Sequence, residues 1–426
     1  MLLPELKKLE AEGRSIGVGL VGAGQMGEGL VAQMEQMYGM RATAVADVRP
    51  GRAREVLEGG GVDSGDIVDT DDPDTALAAL DAGRRVASTN PAVTWTEAVD
   101  ITVEATGIPD VGAEVAYEAI LARRHVLQMN VETDATVGYL LRRMANAAGV
   151  VYTLTAGDEP GTTMELYDFA TSLGFEVVCA GKGKNNPLDR SGNPESVAER
   201  AAAEGMNPKM LASFVDGTKT MVEMTSLANA IGFVPDVPGM HGPEVTPKTI
   251  ADVYRPKAEG GILESTGVVE YGRGIAPGVF VVFTTDHPKL AKDLKYLSMG
   301  DGPYWALYRP YHLTSLETPI SIARAVLKGE TTVATDRPPT AETVAVAKRD
   351  LKAGETIDAL GGFTVYGMIE SAADARSADH LPLGLAPGGV VTNDVEMGQT
   401  LTYADVELDD DSMIRQLRRL QDRDLG

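Results

Sequence analysis

The chain has 426 residues and a formal net charge of −24 at pH 7, from 62 acidic and 38 basic residues. This charge argues against nucleic acid and anionic membrane partners, which both require a basic face. A single cysteine, Cys179, excludes an intramolecular disulfide framework and fits a reducing compartment, so we expect a cytoplasmic protein. No apolar run approaches the roughly 18–20 residues of a membrane span, and residues 1–13 do not resemble a signal peptide. The acid excess fits either a high-salt cytosol or an ordinary acidic protein.

A glycine-rich motif near the N-terminus is the most informative stretch. The sequence GAGQMG, residues 22–27, follows an apolar β-rich run and precedes apolar residues at helical spacing. This pattern predicts a strand, a tight turn and a helix. Gly22 would form the turn, Gly24 would let a pyrophosphate approach the backbone, and Gly27 would let the helix pack on the strand. Gln25 and Met26 would present the helix N-terminus to the phosphates.

An acidic residue follows at the spacing that a dinucleotide site requires. The next apolar run ends in Asp47, 20 residues after Gly27, where a carboxylate reaches the adenosine ribose. Asp47 would repel a 2′-phosphate and favour NAD, whereas Arg49, with Arg52 and Arg54 beyond it, could hold that phosphate. The alternative is an ordinary βαβ turn without a ligand.

Strands and helices then alternate as far as Thr155, which predicts a doubly wound parallel sheet covered by helices on both faces. We therefore assign residues 1–155 to a dinucleotide-binding Rossmann domain. Two of its later strands end at Thr106-Gly107 and at Asn130, and we expect these three residues to line the cofactor site.

Several blocks of the chain resemble a known family. VGAGQMG, AVADVRP, TVEATGIPDVGAE and HVLQMNVETD look like the N-terminal domain of the homoserine dehydrogenase superfamily. GKGKNNPLDR, FVDGTKTMVEMTSLANAIGF and PGMHGPEV resemble one branch of it, the deoxyxylulose-phosphate reductoisomerase-like (DRL) oxidoreductases, which carry a C-terminal SAF domain. The resemblance implies NADPH as cofactor. Homoserine dehydrogenases commonly have lysine after the strand-end asparagine, but Asn130 is followed by Val131, which disfavours homoserine as the substrate.

Two lysines at a strand end are the first catalytic candidates. Residues 9–181 contain no lysine, and Lys182 and Lys184 then appear two positions apart among glycines. Strand alternation would place both on one face if the strand continues through Gly183. We expect Lys184 to polarise a substrate oxygen and pass a proton, and Lys182, Asn185 and Asn186 to bind substrate. The alternative is a solvated basic turn.

A second block combines acidic and basic residues. If a helix begins near Thr218, Asp216, Lys219 and Glu223 share one face at spacings of three and four. Lys219 is then the second candidate for the catalytic ammonium, and Asp216 and Glu223 would orient it. A plain i,i+4 salt bridge is the alternative.

Three further residues are candidate anion contacts. His241 lies in the glycine- and proline-rich loop PGMHGP, where it could bind phosphate or carboxylate. Arg309 and His312 lie in an aromatic stretch before the helix at about residues 320–327, and the superfamily resemblance implies that this stretch returns to the dinucleotide domain, where the two would contact an anion near the cofactor. The alternatives are an exposed loop histidine and an aromatic packing seam.

The rest of the chain suggests two more segments. Residues 156–330 would form a catalytic, substrate-binding and dimerisation domain, in which the helix at 320–330 returns to the Rossmann domain. A proline-containing linker leads to residues 340–410, whose two strand–turn units resemble a small SAF β-clip, and residues 411–426 would form a charged, solvated helix. The fold class is thus α/β, with an α+β middle domain and a β-clip.

These observations favour a cytoplasmic NAD(P)-dependent oxidoreductase that acts as a homodimer or homotetramer on a small polar substrate. A phosphorylated ketose, a sugar acid or a polyol fits, with or without coupled isomerisation, and NADP(H) is favoured over NAD(H). No zinc motif is present, and we assign no metal site, although Asp158, Glu159 and Glu223 leave a divalent cation open. The alternatives are a homoserine-like substrate and a non-catalytic dinucleotide sensor that acts through its SAF domain.

Overall fold

The computed structural model describes residues 1–425, and Gly426 lies outside the described residues. The first part of the chain contains α1 (Leu2–Ala11), β1 (Ile16–Val21), α2 (Gln25–Glu35), β2 (Met40–Ala46), α3 (Arg52–Gly59), β3 (Ile67–Asp69), α4 (Pro73–Asp81), β4 (Arg85–Ser88), β5 (Ile101–Glu104), α5 (Pro109–Leu121), β6 (His125–Gln128), α6 (Val131–Ala148) and β7 (Tyr152–Leu154). The middle part contains α7 (Glu159–Ser172), β8 (Glu176–Lys184), α8 (Ala198–Glu204), α9 (Pro208–Val215), α10 (Thr218–Ile231), β9 (Val234–Pro235), α11 (Ile250–Val253), β10 (Val268–Arg273), β11 (Val279–Thr284), α12 (Pro288–Tyr296) and β12 (Tyr304–Arg309). The last part contains α13 (Thr318–Lys328), β13 (Ala341–Ala347), β14 (Val365–Ser371), α14 (Ala372–Ser377), β15 (Val390–Val391), β16 (Val406–Glu407) and α15 (Met413–Leu425).

The first of two compact units comprises residues 1–161, 313–336 and 416–426. Its parallel seven-stranded sheet has the order β3-β4-β2-β1-β5-β6-β7. The strand order reverses at β1, whose Val21 lies beside Glu104 of β5. The carboxyl ends of β1 and β5 therefore meet at a topological switch point, where open α/β sheets bind ligands. The predicted Rossmann-type parallel sheet is confirmed.

Two helices from the end of the chain also belong to this unit. Ile322, Ala323 and Ala325 of α13 pack into the core with Leu20 and Leu30. The end of α15 lies against α6, where the amide of Gln421 accepts from Leu140 N and donates to Thr136 O at 3.1 Å each.

The expected solvated terminal helix is therefore wrong. Leu417 is 1% and Gln421 3% exposed, because apolar and amide side chains at spacings of three and four form a narrow buried face. The many charged residues of α15 occupy the remaining faces.

The second unit comprises residues 162–312 and 337–415. Its main sheet has the order β12-β11-β8-β10-β9, with β8 at the centre. β8 is parallel to β10 and antiparallel to β11. Two antiparallel strand pairs, β13-β14 and β15-β16, complete this unit.

Helix α10 is central to the second unit. Every residue of α10 is buried except Lys219, which is half-buried. The helix packs against β10 of the main sheet and against both β13 and β14. The hydroxyls of Thr225 and Thr343 lie 2.7 Å apart, and Asn229 accepts hydrogen bonds from the backbone N–H groups of Thr340 and Ala341 at 2.9 Å each. An all-round buried helix of this kind is stabilised by packing rather than by its own propensity.

Among residues 1–425, no helix is long and apolar enough to cross a membrane.

Candidate active site

The glycine turn after β1 has the geometry that its sequence predicts. Gly22 has φ +99°, and a Cβ there would lie 2.8 Å from the carbonyl group of Ala105. A Cβ on Gly27 would lie 2.2 Å from Gly22 O, so the helix approaches the turn closely. A Cβ on Gly24, the N-cap of α2, would meet open space. The turn thus leaves room for an anionic group at the helix N-terminus, beside exposed Gln25 and half-buried Met26.

Asp47 is held by donors of its own unit. Its Oδ2 accepts from Ala23 N at 2.9 Å, and its Oδ1 accepts from the backbone N and the Nε of Arg49 at 2.9 Å each. Asp47 is only 9% exposed, and its hydrogen bonds to Arg49 and Ala23 hold the pKa of the carboxyl below its usual range despite the opposing effect of burial. The Arg49 side chain is 60% exposed. Asp47 therefore organises the turn, and Arg49 offsets its charge at the surface.

A cavity of about 420 Å³ lies in the same unit, where β2, β3 and β4 end. Its lining includes Gly51 and Arg54 after β2, and Thr70, Asp71 and Thr89 after β3 and β4. Its volume is within the usual range for small-molecule sites.

The strand ends at β5 and β6 carry a buried polar group that the sequence analysis missed. Glu104 is fully buried and accepts hydrogen bonds from the N–H of Thr106, at 2.7 Å, and from its hydroxyl. Burial raises the pKa of Glu104 to about 7. Thr106 and Gly107 follow as half-buried and exposed residues at the switch point. Asn130 is 1% exposed and caps α6 through a 3.2 Å bond from Thr133 N, a structural use that we had not predicted.

In the second unit, β8 continues through Gly183 to Lys184. Lys182 and Lys184 consequently lie on the same face, and both are 5% exposed. Lys182 forms an ion pair with Glu223 of α10, and Lys219 Nζ lies 3.8 Å from the other oxygen of that carboxylate. Buried Lys182 and Glu223 thus form one charge cluster with half-buried Lys219. The solvated-turn alternative is wrong for Lys182 and Lys184, because the strand extends further than the sequence indicated.

Lys184 has a distinct environment. Its Nζ donates to the carbonyl oxygen of Phe214 at the end of α9. Burial, assisted by the nearby charge of Lys182, lowers the pKa of Lys184 to about 8, while Asp216 opposes this change. The ammonium is therefore mostly protonated at pH 7 and loses its proton as the pH rises through about 8.

Asp216 lies elsewhere than expected. It ends α9 and is fully buried, and its Oδ2 lies 2.7 Å from Nζ of Lys348, while its Oδ1 accepts from Thr218 N at 2.8 Å. Within the described part of the chain, Asp216 thus pairs with Lys348 rather than with Lys219 or Glu223. α10 begins at Thr218, as expected, and Lys219 and Glu223 share a face of it, but the Asp216 carboxylate pairs with Lys348, so the expectation is wrong for Asp216 alone.

The residues after β8 extend this region. Asn185 is exposed, and its Oδ1 accepts from Nδ2 of Asn186 at 2.9 Å. Asn186 is 4% exposed, and its own Oδ1 has no hydrogen-bond partner among residues 1–425. Arg190, which the sequence analysis missed, donates to Asp216 O at 3.2 Å and lies over the ring of Tyr366 at 4.7 Å. A basic residue six positions after Lys184 was the available signal.

His241 lies between two carboxylates. Its Nδ1 is 2.6 Å from Glu270 Oε1, its Nε2 is 3.8 Å from Asp236 Oδ2, and the hydrogen bond to Glu270 raises the pKa of the imidazole. A Cβ on the next residue, Gly242, would overlap the phenol of buried Tyr271. Tyr271 lies beside Lys182 in the sheet register. The loop therefore places a protonatable imidazole beside Glu270 of β10, the strand whose Tyr271 is paired with Lys182.

Arg309 and His312 are farther along the chain, at and after the end of β12. Arg309 donates to Glu165 at 3.0 Å and lies over Tyr311 at 4.5 Å. His312 is half-buried. Arg309 thus takes part in both an ion pair and an aromatic contact, and an anion-binding role for these two residues stays a prediction.

Comparison with known protein families identifies the class of protein that carries this site. Residues 157–318 match the family described as oxidoreductase DRL, catalytic domain, and residues 342–407 match the SAF domain. The protein is an oxidoreductase by its catalytic domain, and its first unit contains the Rossmann-type parallel sheet described above. It carries a DRL catalytic domain followed by a C-terminal SAF domain, as the sequence blocks indicated.

Solved structures with distant similarity include a probable dehydrogenase from Thermotoga maritima, at 14% identity and a TM-score of 0.41, covering 74% of this chain and 90% of that chain. KijD10, a 3-ketoreductase from Actinomadura kijaniata in complex with NADP and TDP-benzene, matches at 15% identity and a TM-score of 0.34, covering 75% and 91%. No curated protein sequence matches the chain.

Proposed function

We propose that the protein transfers hydride between a nicotinamide dinucleotide and a carbonyl or carbinol carbon of a small polar substrate, with Lys184 as the proton donor or acceptor. The observation that carries this proposal is a buried lysine pair on one strand, in which the pKa of Lys184 is lowered to about 8. A general acid or base is most effective when its pKa is near the working pH. The dinucleotide, when bound, supplies the hydride.

The residues around Lys184 would then have separate roles in catalysis and in substrate binding. The ammonium of Lys184 donates to the substrate oxygen and stabilises the negative charge that develops there. Lys182, fixed by Glu223, and half-buried Lys219 supply positive charge to the same cluster. The unpaired Oδ1 of buried Asn186 accepts from a substrate hydroxyl.

The cationic and amide groups favour a hydroxylated, anionic substrate. A phosphorylated ketose or a sugar acid offers hydroxyls to Asn186 and an anionic group to Lys182, Arg190 or protonated His241. A polyol offers only the first of these groups. We infer that the substrate carries both, and we leave coupled isomerisation as part of the test below.

For the cofactor, the glycine turn fits a pyrophosphate because Gly24 faces open space, whereas Gly22 and Gly27 have no room for a Cβ. Gln25 and Met26 begin the helix that would bind the phosphates. We propose NADP(H), because Arg49 neutralises Asp47 and keeps an exposed guanidinium at the position where a 2′-phosphate would lie.

Arg49→Ala tests the cofactor choice. It should weaken NADPH binding by roughly 10–150-fold and change NADH binding little, because one charge-assisted hydrogen bond contributes about 1.5–3 kcal/mol. Fluorescence titration of both dinucleotides measures the ratio. Arg14→Ala, at an exposed arginine of the same unit, is the matched control. An unchanged ratio of NADPH to NADH affinity in Arg49→Ala would reject the arginine as the phosphate ligand.

The pKa of Lys184 sets a second expectation. Carbonyl reduction needs the protonated ammonium, so its rate should be constant below about pH 7 and should fall as pH rises through about 8. Alcohol oxidation needs the neutral amine and should rise over the same range. Rates measured in both directions from pH 6 to 10 check this, and a reduction rate that increases through pH 8 contradicts the assignment.

The function itself is tested by turnover. NADPH and NADH oxidation is followed with phosphorylated ketoses, aldonates and polyol-derived ketones, each with and without Mn²⁺, and product analysis detects isomerisation. Saturable turnover that is lost in Gly24→Val supports the proposal. Tight dinucleotide binding without turnover on any of these substrates would instead favour the dinucleotide sensor.

A further inference from the structure

Lys348, in the SAF domain, is buried in a polar site that the mechanism does not use. It follows β13, and its side chain is 2% exposed. Its Nζ lies 2.6 Å from Gly192 O, 2.7 Å from Gly362 O and 2.7 Å from Asp216 Oδ2. Of these three oxygens, the two backbone carbonyls accept hydrogen bonds from the ammonium, and Asp216 Oδ2 forms an ion pair with it without a hydrogen bond of ordinary geometry among residues 1–425. Two of the three, Gly192 and Asp216, belong to the DRL catalytic domain.

A short segment of the catalytic domain, residues 214–218, contacts both Lys184 and the SAF domain. Phe214 O accepts from Lys184, and Asp216 is the partner of Lys348. Thr218 Oγ1 accepts from Gly367 N of β14 at 2.9 Å. Residues 214–218, at the junction of α9 and α10, therefore contact Lys184 through Phe214 and the SAF domain through Asp216 and Thr218.

This link bears on the pKa of Lys184, because several charged groups surround its ammonium. The groups that act on Lys184 are Lys182, Asp216, Arg190 and Glu223. Asp216 is fully buried, so solvent does not screen its charge. Lys348 Nζ lies 2.7 Å from this carboxylate and offsets part of its charge, so Asp216 raises the pKa of Lys184 less than a lone buried carboxylate would.

We propose that Lys348 of the SAF domain is a positioning residue for the catalytic lysine: it neutralises Asp216 and holds the Phe214–Thr218 segment on which Lys184 is seated. The inference rests on the proposed function of Lys184, but the geometry of the pair stands apart from it. The SAF domain is then part of the active-site framework.

The test measures the titration of Lys184 directly. The full-length protein is labelled with ¹³C at lysine Cε, and the Lys184 resonance is assigned by its loss in Lys184→Arg. Lys348→Met leaves the Asp216 carboxylate uncompensated, so the pKa of Lys184 should rise by roughly one unit. Asp216→Asn leaves the Lys348 ammonium uncompensated, so the pKa should fall by a similar amount. The double variant lacks both charges, and its Lys184 should titrate close to the parent value.

Opposite shifts in the single variants and their cancellation in the double variant support the proposal, because a merely structural role would not produce this sign pattern. Equal pKa values in all variants, or shifts of the same sign, overturn it. If Lys348→Met does not fold, Asp216→Asn and the double variant carry the same comparison. If the pattern holds while Lys184→Ala retains full turnover, the proposed function fails and the positioning of Lys184 stands.

Discussion

Lys184→Ala is expected to lower kcat for carbonyl reduction by about 10²–10³-fold, because a preorganised donor to a developing oxyanion contributes about 3–4 kcal/mol to the transition state. Dinucleotide affinity should change little, since Lys184 lies in the second unit and the glycine turn lies in the first. Steady-state kinetics with saturating cofactor and a fluorescence titration measure the two quantities on the same protein.

Two variants sharpen this result. Lys184→Arg should rescue poorly, because a planar guanidinium differs in shape from an ammonium and does not release its proton near neutral pH. Lys209→Ala, at an exposed lysine of the same unit, should keep parent kinetics and serves as the control. Near-parent turnover in Lys184→Ala would transfer the role to Lys219. Near-parent turnover in Lys219→Ala as well would reject the lysine mechanism.

The first unit could be predicted well from the sequence because its determinants are local. The three glycines act within six residues: Gly22 and Gly27 leave no room for a Cβ, and Gly24 keeps the space in front of the helix N-terminus open. The distance of 20 residues from Gly27 to Asp47 follows from the length of one helix and one strand. The detailed role of Asp47 was not predictable, since its donors include Ala23 N, which the fold of the turn brings to it.

The second unit was predicted less completely because its contacts are long-range. Lys348 and Asp216 lie 132 residues apart, and no spacing rule relates them. From the sequence alone, a lysine in a strand-rich domain is expected to be exposed to solvent, because lysine is rarely buried. The sequence left open whether β8 extends through Gly183 to Lys184, because glycine at alternate positions weakens the strand signal while it permits close backbone packing.

The nearly complete burial of α10 joins these observations. Its one half-buried residue, Lys219, is also the one that reaches the Glu223 carboxylate from the same helix. β10 covers one part of the helix, and β13 and β14 cover another. The SAF strands therefore complete the core around the helix that carries Glu223, and we expect the catalytic charge cluster to depend on them.

Lys348→Met is expected to lower the free energy of unfolding of the second unit by about 3–5 kcal/mol, because removing one partner of a buried ion pair leaves the other charge without compensation. The backbone oxygens of Gly192 and Gly362 also lose their donor. Urea unfolding followed by circular dichroism gives the midpoint and the slope, and the transition of the parent protein is the reference.

The chain offers a matched control for this change. Lys352 Nζ lies 2.7 Å from Asp394 Oδ2, the same distance as in the buried pair, but the Lys352 side chain is 68% exposed. Water screens that pair, so Lys352→Met should leave the transition where it is. Asp216→Asn combined with Lys348→Met should cost less than the sum of the two single changes, because neither charge is then left alone. Equal losses of unfolding free energy in Lys348→Met and Lys352→Met would show that burial does not strengthen the Lys348–Asp216 pair. The proposal that the SAF domain supports the active site through this pair would then be rejected.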